Sequence, residues 1–232
     1  MNQLSVQVLT PKNTYRAEYD NDFVWHSGQA TPSNANKLIH NVRLFHLWQY
    51  FTQTQADLDY NRVIFTDGRD VIFQANPSEW LNEFMTKDIL VPSEGVLFKD
   101  EPWGANNALS NYGPYVYEYI LKDSYTCNVG TFACSAKLCK DLCLTIYLMY
   151  NIGVADQTSF NVLTQTLLKD KCQWVDYNDL WALQIGTIVN DLDRYVKFEN
   201  GIISSLKTNK PYCLVHQYDR VPEYKNYFDS NI

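Results

Sequence analysis

Nowhere in the sequence do apolar residues run for the roughly 20 positions that a bilayer-spanning helix needs, and the first residues lack a secretory-signal pattern. No basic block occurs either: 19 Lys and Arg face 26 Asp and Glu, a formal net charge of -7. Phosphate backbones are held mainly through clustered Lys and Arg, so nucleic acid is not the expected main partner. A nucleotide held through a metal stays open. The six cysteines, Cys127, Cys134, Cys139, Cys143, Cys172 and Cys213, form no Cys-x-x-Cys pair, which argues against zinc. No Asn-x-Ser/Thr sequon is present, because Asn76-Pro77-Ser78 carries the excluded proline. Internal repeats and low-complexity tracts are missing as well. The expectation is a soluble, cytoplasmic chain with buried reduced thiols, peripheral membrane association remaining open.

What is there fits one α/β domain over residues 1–232, long enough to bury a sizeable core. Aromatics make up 15%, with 17 Tyr and 6 Trp; most are core, while amphipathic rings of this kind also line sites for sugars and bases. Short strands are expected at Leu4 to Leu9 and Asp22 to His26, with a polar turn between them and a loop from Ser27 to Asn36. From Ala35 to Phe51, Leu38, Ile39, Val42, Phe45, Trp48 and Phe51 recur at helical spacing, which leaves Arg43 on the polar side, as a solvated charge in the plainer reading or as a phosphate contact in the other.

The most informative stretch is Asn61 to Gln74. Its apolar run Val63-Ile64-Phe65 reads as a buried strand that delivers Asp67 and Asp70 at its end, before a second run, Val71-Ile72-Phe73. Gly68 permits a tight turn, and two close carboxylates repel unless a cation lies between them or one stays protonated. Mg²⁺ and Mn²⁺ take such oxygen ligands, often with a substrate phosphate. The plainer alternative makes both aspartates turn formers, with Arg69 paired to one of them.

Further along, Asn76-Pro77-Ser78-Glu79 reads as a helix start, Ile89 to Val91 as a short strand, and Lys99 to Pro114 as a long loop, either a lid or surface decoration. A strand is expected over Asn128 to Cys134, with Gly130 allowing close approach, and a helix over Ala136 to Tyr150. Asp156 reads as a helix N-cap, and Cys172 to Ile203 as edge strands. The final motif, His216-Gln217-Tyr218-Asp219-Arg220, follows the apolar Cys213-Leu214-Val215, so a histidine at one strand end and carboxylates at another could meet on one ion.

In this order, Thr66-Asp67-Gly68-Arg69-Asp70-Val71-Ile72-Phe73-Gln74, Asn128-Val129-Gly130, Asp156-Gln157 with Asn161, and His216 to Arg220 resemble nucleotide-sugar-dependent glycosyltransferases of the A-type fold, glycogenin-like and bacterial galactosyltransferase-like. The resemblance implies a single-domain α/β/α sandwich around a mixed, mostly parallel sheet, and transfer of a sugar from a nucleoside diphosphate sugar to a glycan or glycoconjugate hydroxyl. It implies Mn²⁺ (or Mg²⁺) on Asp67, Asp70 and His216. Asp67, Arg69, Asn128 and Arg220 would contact the donor, Arg220 otherwise serving as partner to Asp219. Asp156 and Gln157 would act at the reacting sugar, with Asp156 as base if the reaction inverts configuration. Two departures stand out: the metal motif is Asp-x-x-Asp where the family has Asp-x-Asp, and the segment before it is short. A vestigial carbohydrate- or nucleotide-binding domain and a metal-dependent phosphoesterase are the rival readings.

Overall fold

A computed structural model describes residues 7–9, 14–19, 22–27, 36–149 and 155–231. In chain order the elements are β1 (Gln7–Leu9), β2 (Thr14–Tyr19), β3 (Asp22–Ser27), α1 (Asn36–Thr54), β4 (Arg62–Asp67), β5 (Val71–Phe73), α2 (Pro77–Phe84) and β6 (Ile89–Leu97). Then come α3 (Pro102–Val116), β7 (Tyr125–Cys127), β8 (Ala133–Ser135), α4 (Ala136–Leu148), α5 (Asp156–Gln165), β9 (Cys172–Val175) and β10 (Ala182–Gln184). The chain ends with α6 (Ile185–Ile188), the hairpin β11 (Val196–Glu199) and β12 (Ile202–Ser205), β13 (Leu214–His216) and α7 (Pro222–Asn231).

The chain is mixed α/β. One sheet runs β1-β2-β3-β4-β8-β6-β7, with β9 also paired to β6, and a smaller one runs β10-β13-β5. The mostly parallel sheet expected from the resemblance is corrected here: β3–β4, β6–β9 and β10–β13 are parallel, and the other seven pairings are antiparallel. Parallel neighbours need a crossover of a dozen or so residues. The β3-to-β4 connection supplies one through α1, whereas the neighbouring strands of the β1–β3 meander are joined by short connections.

The alternation of β4 explains the layers. Val63 and Phe65 face a core shared with α1, α4 and α5, through Leu44, Leu47, Phe51, Leu142 and Phe160. Ile64, pointing the other way as period 2 requires, packs with Leu90 and Ala133 against Trp181 and Leu214 of the smaller sheet and Leu81 of α2. The far side of that smaller sheet, Ile72, Leu183 and Val215, is covered by Tyr224 and Phe228 of α7. All six cysteines are free and buried. Among the described residues no helix is long and apolar enough to cross a membrane.

Several local expectations change. Residues 4–6 and 28–35 lie outside the described residues, and the polar turn between the first two strands contains β2. Ile89 to Val91 opens a strand that continues to Leu97. Lys99 to Pro114 is largely helix: the Glu101 carboxylate accepts from the Trp103 and Gly104 amides, Pro102 occupies the first turn, and Ala105 and Ala108 are buried. Gly113, at φ 80°, kinks this helix instead of ending it. Asn128 to Phe132 leaves regular pairing between β7 and β8 because Asn128 Oδ1 accepts the Gly130 amide at 2.7 Å, an Asx-type turn. The Cys172 to Ile203 stretch supplies β9 at the large sheet and β10 in the small one, with α6 and the β11–β12 hairpin. The Asn76 cap is as expected: its side chain accepts from the Ser78 amide, with Pro77 in the first turn.

Candidate metal centre and cavity

The three residues between β4 and β5 carry the chain from the large sheet to the small one. Asp67 therefore ends a strand of one sheet while Asp70 immediately precedes a strand of the other. In the small sheet Gln184 is in register with His216, and His216 with Val71, so Gln184, His216 and Asp70 gather at one sheet end. His216 Nε2 lies 3.3 Å from Asp67 Oδ2 and 3.7 Å from Asp70 Oδ1. One ligand atom from each of the three residues falls within 4.8 Å of the others.

The His216–Arg220 segment packs over the Asp67–Asp70 turn. The Gln217 amide donates to the Asp70 carbonyl at 2.7 Å, Arg69 pairs with Asp219 at 3.2 Å, and the Tyr218 hydroxyl reaches the Arg69 carbonyl at 3.4 Å. Gln217 holds a left-handed backbone, φ 60°, a conformation uncommon outside glycine, and its side chain accepts the Gly186 amide at 2.9 Å.

Two buried atoms in this cluster, Asp70 Oδ1 and His216 Nε2, have no hydrogen-bond partner among the described residues. On the other side of the imidazole, Nδ1 is 2.7 Å from Gln184 Oε1. Gln184 Nε2 donates to Thr131 Oγ1 at 2.6 Å, so Oε1 is the acceptor that draws the proton to Nδ1. In the neutral ring, Nε2 then keeps its lone pair toward the aspartates, the usual arrangement of a metal-ligating histidine. Two carboxylates and one imidazole of this kind fit a divalent ion such as Mn²⁺.

Charge and burial shift the three groups in different directions. Burial pushes the Asp70 carboxyl up, outweighing the nearby His216. Burial acts on Asp67 in that sense too, yet Arg43 and His216 hold its carboxyl well below the usual range. Burial would lower His216, but Asp67, Asp70 and Glu94 together raise it. Arg43 is held fully charged by Asp156 and Asp67 against the cost of its burial. It bridges them, Nη1 to Asp67 Oδ1 and Nη2 to Asp156 Oδ2, both at 2.6 Å, with a side chain only 10% exposed. The solvated Arg43 expected from the sequence is thus corrected. Arg43, Leu47 and Phe51 follow one another at i, i+4 and i+8, and the last two are fully buried.

Asp67, His216, Arg43 and Asp156, but not Asp70, open onto a cavity of about 910 Å³. Asp67, His216, Asn128, Asp156, Gln157 and Arg220 all line it, so motifs scattered along the chain meet in one place. Arg69 lies outside that lining, 61% exposed on Asp219. Arg220 also keeps to Asp219, Nε to Oδ1 at 3.9 Å. Asp156 is the first residue of α5 and not its cap, which is Ala155; its carboxylate goes to Arg43 and, at 2.8 Å, to the Gln157 amide. Asn161 sits behind, its side chain bonded to both backbone groups of Cys127.

Several lining residues had no motif to announce them. Glu94 is buried in β6, Glu101 caps α3 and Asn107 lies within it, and Trp103 is 56% exposed. Glu94 had one signal: Gly95 follows it inside an apolar strand pattern, the mark of a bulge. Gln184 ends the apolar run from Trp181 to Leu183, as Asp67 ends its own.

A side chain at Gly130 would press on the site's own groups. A Cβ there would lie 2.7 Å from Asp67 Oδ2 and 3.0 Å from Asn128 Oδ1. Gly130→Ala should therefore push the Asp67 carboxylate aside and weaken Mn²⁺ binding by about tenfold or more, with the fold intact. Calorimetric titration checks this; affinity within twofold of the parent would remove Asp67 from the ligand set.

No protein-family model matches the chain, and no curated protein matches it in sequence.

Proposed function

We propose that this chain is a metal-dependent glycosyltransferase, moving a sugar from a nucleoside diphosphate sugar to a hydroxyl of a glycan or glycoconjugate. Its layered frame, on this reading, is a variant of the A-type glycosyltransferase fold. The observation that carries the proposal is the cluster of Asp67, Asp70 and His216, of which Asp67 and His216 line the cavity together with Asn128, Asp156 and Gln157 while Asp70 lies behind that lining.

Asp67, Asp70 and His216 would hold the ion. When bound, it supplies positive charge that neutralises the diphosphate as it leaves. Arg43 holds the Asp67 carboxyl ionised and is hydrogen-bonded to both Asp67 and Asp156, so both side chains are oriented before a ligand arrives. Asp156 has one oxygen on Arg43 and the other on the Gln157 amide. That engagement suits it to stabilising positive charge on the sugar better than to taking a proton, and favours retention of configuration over the base role.

Incubation of the purified chain with a panel of nucleotide sugars and Mn²⁺ tests the proposal. Slow donor hydrolysis or transfer, abolished by chelator, is expected. If no nucleotide sugar is bound or consumed with or without metal, the proposal is wrong. Phosphate release from simple phosphate esters would assign the site to a phosphoesterase instead.

A further inference from the structure

Glu94 reaches the cavity through an interruption of β6. Pairing with β7 is registered at Ser93 and again at Leu97, with an irregularity between them. Gly95 occupies φ 75°, a region that suits glycine, and its amide donates to Ser93 Oγ at 3.0 Å. Thr187 Oγ1 fixes the Glu94 carbonyl at 2.7 Å. Bulges of this sort re-aim a side chain, and here the re-aimed one is a carboxylate, 9% exposed, in the cavity lining.

Its surroundings are those of a receptor for neutral hydroxyls. Asn128 Nδ2 donates to Oε1 at 2.9 Å and Gln157 Nε2 to Oε2 at 3.3 Å. The Asn128 amide cannot turn over, because its Oδ1 already accepts from Gly130. Thr126 is a third polar neighbour. A carboxylate has about four lone-pair sites, so capacity for another O–H remains. Among the described residues no Lys or Arg forms an ion pair with Glu94, and it is not one of the clustered metal-ligating residues. A buried carboxylate without a cation is costly to keep. It also repels phosphate, which leaves the uncharged, hydroxyl-bearing part of a ligand as its partner.

We infer that Glu94, flanked by the Asn128 and Gln157 amides, accepts a hydrogen bond from a ring hydroxyl of a hexopyranose and so selects which sugar enters the cavity. The inference rests on the transferase reading for the place of that sugar in the reaction, and on the geometry of Glu94 alone for the hydroxyl contact.

Two binding measurements separate these. Saturation-transfer NMR with methyl hexopyranosides and their monodeoxy analogues compares the parent chain with Glu94→Gln, which is isosteric and removes a buried charge, and with Glu94→Asp as a second variant. Calorimetry with UDP, GDP and their hexose conjugates in Mn²⁺ is run alongside. In the parent, one hexoside should bind about 10- to 100-fold more tightly than its analogue lacking a particular hydroxyl. Both variants should lose most of that discrimination while binding of the bare nucleotide stays within twofold. Hexosides that bind none of the three proteins, or discrimination that survives in both variants, overturn the role of Glu94. Absence of nucleotide binding to the parent, with hexoside discrimination lost in the variants, overturns the transferase reading and leaves Glu94 as the hydroxyl acceptor.

Discussion

Arg43→Met loses about 3–5 kcal/mol of folding stability in urea denaturation, because removing one member of a buried ion-pair set leaves the others as uncompensated charges. Asp67 and Asp156 would both be stranded, each having an oxygen 2.6 Å from the guanidinium. Their carboxylates come from separate elements, β4 and α5, so Arg43 links helix α1 to two other parts of the fold. Neutralising the acids as well, in Arg43→Met/Asp67→Asn/Asp156→Asn, is expected to recover much of the loss. A loss below about 1 kcal/mol in the single variant, the value of an ordinary exposed pair, would show that the bridge contributes no more than a surface contact.

Asp70→Asn behaves in the opposite way. Asp70 is 3% exposed, its Oδ1 has no hydrogen-bond partner among the described residues, and burial raises its carboxyl. Replacing it with a neutral amide removes a costly group, so the metal-free protein should melt at the same temperature or higher. The backbone at this position stays tied, since the Asp70 carbonyl accepts from Gln217. Mn²⁺ affinity should fall by more than the roughly 10- to 100-fold that loss of a supporting partner outside the ligand shell produces. Binding of UDP or GDP should lose its dependence on metal. Calorimetry with Mn²⁺ alone and then with nucleotide measures both, and unchanged affinities would mean that Asp70 is structural. Opposite signs on stability for two neighbouring charge removals are a stringent combination, since a merely fragile protein would lose stability in both.

What could be read in the residues followed from contiguity. Asp67, Asp70 and His216 each lie at the end of an apolar strand run, and the fold brings them within reach of one another. The Asp-x-x-Asp span bridges two sheets: Asp67 ends a strand of one, and Asp70 immediately precedes a strand of the other. The spacing of Leu38, Ile39, Val42, Phe45, Trp48 and Phe51 leaves Arg43 off the apolar stripe, whereas the fully buried residues of this helix whose side chains are described are Leu44, Leu47 and Phe51, of which only Phe51 belongs to that stripe. A helix stripe that includes an arginine is invisible until its two carboxylates, 24 and 113 residues away, are known. The segment from Lys99 to Pro114 looked like a loop because Gly and Pro signal turns, but Glu101 and Pro102 are equally a helix start. Glu94 was hidden by a different cause, since a bulge defeats the period-2 reading that would assign its direction.

The exposed tryptophan of the lining also gives the cavity its own optical signal. Among the tryptophans whose side chains are described, Trp181 is buried and Trp48, Trp80 and Trp174 are partly buried against the cores, whereas Trp103 remains exposed against the cavity. Its indole emits from a wet environment, and a ligand that settles against the ring displaces that water. The intrinsic fluorescence of the unlabelled protein should therefore shift to the blue on titration with a cavity ligand, and Trp103→Phe should abolish the shift. Occupancy of the site could in this way be followed before any reaction is known.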